Sequence, residues 1–447
     1  MDAEKFGSTA FKDAYNIRYA YYAGSMANGI SSDKMVIELG KAGYMGAFGS
    51  GGLSLDVVEQ AIDHIQANLP NGPYLINLLH SNESQEERLI SLFLRKSVRA
   101  IEASAFIDLS PALIRYRIAG LKKDHDSGVY TENRIVAKIS REEVARKFMS
   151  PPDPKITATL LEKGLITAEQ AMWAKEIPVA DDITAEADSG GHTDNGPLVS
   201  LLPLIIAVRD EVQRQYGYKH PIRVGAAGGI GTALSAAGAF MMGADYVVTG
   251  SVNQACIEAG TSGYVKNMLA RVDMADVVMA PSADMFEAGA RVQVIKKGTM
   301  FPMNAQKLYE LFTRHSCLEE IPAQDRKSIE NRMFHYDLDT IYDYVKEYFR
   351  RVDESQIHRA ESNAKYKMAL IFRWYLGNSS RWAVAGDMER LMDMQIWCGK
   401  SMGAFNRWVQ GSELELPENR RVVAVADKIM GEAALITINS YKKFINT

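Results

Sequence analysis

The sequence predicts an α/β fold, a (β/α)8 TIM barrel with a helical C-terminal appendage. Three observations point to it. Short β-rich runs alternate with helical stretches eight times over the first two thirds of the 447 residues, and strict alternation argues for right-handed βαβ units in a parallel sheet. The eight units occupy roughly 250 residues, the size of a barrel more than of an open sheet. From about Met303 onward the alternation stops and the pattern is mostly helical. A doubly wound open sheet is the competing arrangement.

In chain order the expected strands are Tyr19–Gly24, Tyr44–Ala47, Tyr74–Leu78, Ala100–Ser104, Arg134–Lys138, Ile183–Glu186, Arg223–Ala226 and Tyr246–Thr249. Amphipathic or small-residue helices fall between them at Ser32–Ala42, Leu53–Ala67, Gln85–Ser97, Arg141–Met149, Leu198–Tyr216 and Gly231–Met242. After the Pro-rich run Pro151–Pro154 two short helical segments interrupt the rhythm, an insertion over about 151–178. The barrel is therefore expected over 1–300 and a helical subdomain over 301–447. Helices are expected there at Ala305–Arg314, Gln324–Phe334, Thr340–Val352, Ala364–Leu376, Asp387–Met394 and from Arg420 onward. Trp374, Trp382, Trp397 and Trp408 make that region aromatic enough for substantial burial.

Composition bounds the function. An apolar fraction of 47% and a charged fraction of 24% are those of an ordinary globular protein. The net charge of -4 argues against a grip on nucleic acid, which needs clustered Lys and Arg. No apolar run approaches the roughly 20 residues that span a bilayer. Met1–Lys5 leads into a polar stretch with no apolar signal core. Cys256, Cys317 and Cys398 stand far apart, offering neither a zinc cage nor a disulfide framework. The expectation is a cytoplasmic protein with no metal, bound to neither membrane nor nucleic acid.

The sharpest chemical signal is Val224-Gly225-Ala226-Ala227-Gly228-Gly229-Ile230-Gly231, followed by Ala244-Asp245-Tyr246-Val247-Val248-Thr249-Gly250-Ser251. The first run ends a strand in glycines and opens a helix; the second ends the next strand in Gly-Ser. Glycine lets backbone approach an oxygen closely, and helix N-terminal N–H groups favour an anion. In barrels the loops after strands seven and eight commonly build one phosphate site. Gly228, Gly229, Gly250 and Ser251 are therefore the expected phosphate ligands. A ligand-free tight turn and half of a dinucleotide fingerprint are the alternatives. The second is weak, because the segment lies late in the chain and no acidic residue follows the next strand.

A second loop follows the sixth strand: Asp188-Ser189-Gly190-Gly191-His192-Thr193-Asp194-Asn195. A histidine after paired glycines at the catalytic face of a barrel can donate or accept a proton near neutral pH. His192 is the candidate catalytic residue. The plainer alternative is a histidine that hydrogen-bonds the turn. Asp188 and Asp194 do not make a metal site, since no HxH or HExxH spacing accompanies them.

Taken in order and spacing, the Gly-Gly-His loop, the Ala-Ala-Gly-Gly-Ile run and the Val-Val-Thr-Gly-Ser run resemble the nitronate monooxygenase superfamily of FMN-dependent barrels. Tyr21-Tyr22-Ala23-Gly24-Ser25-Met26 and Asn77 stand where that superfamily lays backbone and an amide against the flavin ring. Three further segments narrow the resemblance: Lys297–Pro302, Phe372–Trp382 and Gln395–Asn406. They are similar to the PfaD family, trans-acting enoyl reductases of polyunsaturated fatty acid synthases and trans-acyltransferase polyketide synthases. The likeness runs from about Tyr19 to Gly431. It departs at Lys400-Ser401, where the family usually has Pro-Ala, and at Asn378, where a small or apolar residue is commoner.

The resemblance implies an FMN-dependent enoyl reductase that takes electrons from transiently bound NADPH and reduces the α,β double bond of enoyl thioesters on an acyl carrier protein. It places Ala23, Gly24, Asn77 and Lys138 on the ring side and the four glycine-loop residues at the phosphate. Lys138, ending the fifth strand, would balance negative charge at N1–C2=O of the reduced ring; a surface lysine capping a sheet edge is the alternative. Arg350-Arg351 and Lys442-Lys443 could meet an acidic carrier protein or be solvated surface. Assembly as a homodimer is a further expectation. Competing functions are an O2-using flavin oxidase of the same fold, a non-catalytic flavin-binding scaffold of a megasynthase, and a flavin-free phosphate-binding isomerase.

Overall fold

The computed structural model describes residues 3–124 and 128–445. Eight parallel strands close a barrel: β1 (Tyr21–Ala23), β2 (Met45–Phe48), β3 (Leu75–Leu79), β4 (Ala100–Ser104), β5 (Arg134–Ile139), β6 (Asp182–Glu186), β7 (Arg223–Ala227) and β8 (Val247–Thr249). The ring closes because β1 pairs β8, Tyr22 opposite Val248. All eight expected strands are present, and the open sheet is excluded. The insertion is two helices, Pro154–Glu162 and Ala168–Trp173. Among the elements that escaped sequence reading are the helix Thr9–Tyr15, the helix Pro111–Ala119 and the hairpin formed by Leu121–Asp124 and Gly128–Thr131.

Side chains alternate along each strand. The outward set, Ile76, Ile101, Ile135, Ile183, Val224 and Val247, is fully buried beneath the helices. Burial of each such side chain is worth about 1.5–3 kcal/mol. The inward set fills the barrel in layers. Tyr22, Leu75, Ala100, Val136, Ala227, Tyr246 and Val248 form one apolar cluster with Phe11 and Tyr15. Those two come from the helix Thr9–Tyr15, which plugs the N-terminal end; Phe11 stacks on Tyr246 at 4.0 Å. Gly225 faces inward because a Cβ there would lie 2.1 Å from the Tyr246 ring.

Charge closes the same end. Arg223 forks onto Asp182 at 2.6 and 2.7 Å, and Tyr15 Oη donates to Asp182 Oδ2 at 2.6 Å. Just outside, Arg117 holds Asp181 (2.6 Å). Burial alone would raise the Asp181 carboxyl, but the charge and hydrogen bond of Arg117, with Arg134 and Arg223 beyond, keep it below the usual carboxylate range.

The chain divides into two compact units, one of residues 1–189, 193–260 and 404–447, the other of 190–192 and 261–403. This division differs from the boundary expected at 300, for a physical reason at each side. Val277–Pro281 and Arg291–Ile295 form an antiparallel sheet with Gly191–His192. Ala280, Phe286, Val292 and Val294 share one core with Phe301, Phe312, Phe334, Phe372 and Tyr375 of the helices that follow. The last helix, Val422–Ile445, instead buries Val422, Val425 and Ile429 in the barrel unit's core with Ala233, Ala236 and Ala237. Of the tryptophans, Trp374 and Trp382 meet edge to face at 6.0 Å in the second unit, whereas Trp408 packs on Phe405 in the first. Lys400 is solvent-exposed, so its departure from the family pattern costs no buried charge. The side chains of Tyr441 and Lys443 lie outside the described residues.

Asp182→Asn leaves Arg223 buried without its counter-charge. It is expected to destabilise the fold by about 3–5 kcal/mol, read as a lower urea midpoint; an unchanged midpoint would show that the plug does not carry this load.

Candidate active site

Two residues beyond the apolar layer, the inward positions turn polar. Asn77, Glu102, Lys138 and Glu186 follow Leu75, Ala100, Val136 and Thr184 by one inward step each, which places all four at the C-terminal mouth of the barrel. Glu102 is fully buried. Its carboxylate accepts from Ser25 N (3.3 Å), from the Ser25 hydroxyl and, at 3.4 Å, from Asn77 Nδ2. Asn77 Nδ2 also donates to Glu102 O (3.1 Å) and Ser104 Oγ (3.0 Å).

Lys138 Nζ lies 2.7 Å from Glu186 Oε1, its side chain only 13% exposed. This is a barrel-interior lysine, not one capping a sheet edge. Burial would lower its ammonium, but Glu186 and Glu102 outweigh that and push it above the ordinary lysine value. It is a cation throughout the neutral range.

The glycine loops leave the two neighbouring strands, β7 and β8, where Ala226 pairs with Val247. Gly228 and Gly229 both have positive φ, +85° and +73°. A Cβ at Gly228 would strike the Ala187 backbone at 2.6 Å, so this glycine serves the turn itself. At Gly229 and Gly250 a Cβ would meet no atom within 4 Å. These are surfaces a bulky oxyanion can approach. The following helix, Ala233–Met241, is capped by Thr232 and Ser235. A flavin phosphate fits this pair of loops, and a flavin ring fits the cation and amide beside Gly24. Gly24 itself faces inward, with Val248 and Glu102 around the place of its missing Cβ. Ala23, by contrast, sends its side chain into the core beneath the helices, leaving only its backbone for a ligand.

His192 belongs to the second unit, on the strand that pairs with Arg291–Ile295. Its Nε2 is 2.8 Å from Asp284 Oδ2 and 3.2 Å from Ser282 Oγ, and the Ser282 hydroxyl also donates to Asp284. Burial would raise the Asp284 carboxyl; the hydrogen bond and charge of His192, with Ser282, overcome this and hold it at about 2. Asp194 takes Arg141 and Ser140 in the first unit.

Sequence reading placed Asn77, Lys138, Gly24 and the glycine loops in one region of the barrel unit. It missed Glu102, Glu186, Ser25 and Asp284. For the two glutamates the signal existed, since an acidic residue of inward parity stands near the end of each strand. Asp284 lies far beyond His192 along the chain, in a loop, and no spacing rule reaches it.

Comparison with known proteins extends this picture. The family model described as nitronate monooxygenase matches residues 8–320, and that of the inserted helical domain of [acyl-carrier-protein] S-malonyltransferase matches residues 315–394. The chain is 47% identical over 439 residues to polyketide biosynthesis protein PksE of Bacillus subtilis, covering 98% of this chain and 57% of that protein. It is 46% identical over 415 residues to one component of the polyunsaturated fatty acid synthase of Thraustochytrium sp., covering 92% of this chain and 28% of that protein. The chain thus spans little more than half the length of the first relative and under a third of the second. The solved enoyl reductase domain of MlnA, from the macrolactin biosynthesis cluster of Bacillus amyloliquefaciens, is 42% identical with a TM-score of 0.94, covering 98% of this chain and 99% of that one. The chain belongs to the nitronate monooxygenase family and, within it, to the group that holds these polyketide and polyunsaturated fatty acid synthase proteins.

Proposed function

We propose that this chain is an FMN-dependent enoyl reductase that uses NADPH to reduce the α,β double bond of enoyl thioesters carried by an acyl carrier protein in polyketide or polyunsaturated fatty acid synthesis. The observation that carries this reading is the end-to-end likeness to a solved enoyl reductase domain. The barrel mouth supports it chemically. Gly229, Gly250 and Ser251 hold the flavin phosphate, with Gly228 shaping the turn that presents Gly229 to it; the Gly24 and Ala23 backbone, Asn77 and Lys138 border the ring. When bound, the flavin relays two electrons from a reduced nicotinamide to the β-carbon of the enoyl group. Lys138 supplies positive charge where negative charge develops, and its ion pair with Glu186 fixes the ammonium in place. Glu102 anchors Ser25 and Asn77, so that β1 and β3 present their ends in one arrangement. We assign His192, oriented by Asp284, to the thioester.

The nitronate monooxygenase match over residues 8–320 favours a second reading, an oxidase that passes electrons to O2. Among the described residues no helix is long and apolar enough to cross a membrane. A cytoplasmic setting, where a carrier protein brings the acyl group to the barrel mouth, is part of the proposal.

An anaerobic assay separates the readings. NADPH consumption that depends on an enoyl carrier-protein thioester, with a product about two mass units heavier from the added hydride and proton, is expected; turnover only with O2 and a nitroalkane would sink the reductase. Gly250→Leu, at a position of negative φ with open space for the new side chain, should fold yet lose the yellow flavin absorbance, and a variant that keeps full flavin would remove this loop from the phosphate site. His192→Ala should keep flavin and lower turnover about 100-fold. The same variant tests the Asp284 pair. Asp284 sits below its unfolded value of about 3.9, so the contact contributes stability above that pH and loses it as pH falls through about 2. In His192→Ala the Asp284 carboxyl titration followed by NMR should move upward; no movement would mean that His192 does not hold it.

A further inference from the structure

Above its polar layer the barrel mouth has one apolar side. Along β3 the inward positions run Leu75, Asn77, Leu79, so Leu79 stands one inward step beyond the amide assigned to the ring. Ile76 and Leu78, which alternate with them, are fully buried in the core beneath the helices. Leu79 is 36% exposed. Beside it two loops interlock, residues 24–31 after β1 and residues 49–54 after β2. Asn28 N donates to Gly51 O (2.7 Å), Gly29 N to Gly49 O (3.0 Å) and Gly49 N to Ser31 O (3.0 Å). The Ser50 hydroxyl donates to Asn77 O at 2.5 Å and ties the second loop to β3.

Of the glycines in that second loop, packing and backbone account for Gly49 and Gly52. A Cβ at Gly49 would lie 1.8 Å from Met26 O. Gly52 has a φ of +80°, and Asn28 Oδ1 stands 2.3 Å from the place of its Cβ. Gly51 is different. Its φ lies outside the left-handed region, and the atoms nearest a Cβ there would be Leu79 Cδ2 (3.0 Å), Ala27 Cβ (3.5 Å) and Leu79 Cβ (3.6 Å). All belong to apolar side chains, and the nearest is the end of a leucine that can turn aside. The backbone at Gly51 therefore admits a side chain, and the missing one leaves an apolar notch walled by Ala27 and Leu79. A glycine that backbone geometry does not demand costs conformational entropy, so its smallness serves the space beside it.

The mouth is thus divided. Glu102, Lys138 and Glu186 stand on β4, β5 and β6, whereas Ala27, Gly51 and Leu79 belong to β1, β2, β3 and the loops that leave them. A hydrocarbon chain is disfavoured among the charges and gains about fourfold in affinity for each methylene buried on the apolar side. Resting on the reductase reading above, we infer that the notch of Ala27, Gly51 and Leu79 seats the acyl chain beyond the double bond, and that Gly51 determines how long a chain the enzyme takes. The substrates this geometry selects are enoyl thioesters whose chain continues as hydrocarbon past the reduced carbons.

The test uses the flavin-loaded enzyme, reduced anaerobically and mixed with crotonyl or dodecenoyl carrier-protein thioester. Its readout is the ratio of the two second-order rate constants for flavin reoxidation, dodecenoyl over crotonyl. Gly51→Val is expected to lower that ratio about tenfold, the seating of one to two methylenes. Gly51→Val with Leu79→Ala, which reopens the notch, should recover most of it. A structural role for Gly51 would slow both substrates alike and would not be relieved by removing Leu79. A second readout needs no turnover: binding of the saturated dodecanoyl thioester to oxidised enzyme, followed in the flavin absorbance, should weaken by a similar factor in Gly51→Val. Where Gly51→Val does not fold, Gly51→Ala takes its place, with an expected fall of about threefold. A ratio that stays level or rises, or a fall that Leu79→Ala leaves in place, overturns the inference. Wild-type enzyme that no enoyl thioester reoxidises fails one step earlier, at the reductase reading itself, and takes this assignment with it.

Discussion

The barrel mouth depends on keeping a lysine charged where water is scarce. Lys138 is nearly enclosed, and enclosure opposes its charge; Glu186 at 2.7 Å and the field of Glu102 reverse that balance. Had the layer been apolar, the same strands would still have closed, because the outward Ile and Val set and the Tyr22–Thr184–Tyr246 hydroxyl chain already pack the ring. Buried ion pairs rarely improve stability over well-packed apolar residues. The polar layer is therefore a feature the fold tolerates, and its position at the strand ends is where barrel chemistry is done.

The two ends of the barrel use charge differently. At the N-terminal end Asp182 is saturated: Arg223 forks onto it, Tyr15 adds a third donor, and a helix covers the set. Nothing is left to meet a ligand. At the C-terminal end the groups are anchored from behind through Ser25 and Ser104. The adjoining loops there present Gly229 and Gly250 with open space where a side chain would stand. Saturation marks the structural charge cluster; anchoring with one side open marks the chemical one.

What the sequence disclosed follows from how each feature is encoded. The eight strands were legible because each is a short apolar run flanked by turn residues, and the glycine loops because two positive-φ glycines in succession leave a compositional mark. The helix Pro111–Ala119 was missed because it buries residues on all sides, including Tyr116 and Arg117, and has no amphipathic period. The sheet at 277–295 was missed because its third strand is two residues, Gly191–His192, supplied from far upstream. The division into these units was illegible for the same reason. A unit is defined by which core a segment joins, and a segment's core is set by long-range pairing that local pattern does not contain. His192 was singled out through its glycines, while its partner Asp284 was invisible.

Two histidine–carboxylate pairs invite comparison, and the difference lies in which nitrogen is held. Asp284 takes His192 by Nε2, with Ser282 between them as a second contact, and part of both side chains reaches solvent. A pair so placed is strong only at close range and weakens with screening. Glu86 takes His80 by Nδ1 and is wholly removed from water. Screening by salt reaches the second pair much less, so its geometry persists under conditions that loosen the first. The buried Glu86 carboxylate is the anchor that fixes the His80 ring.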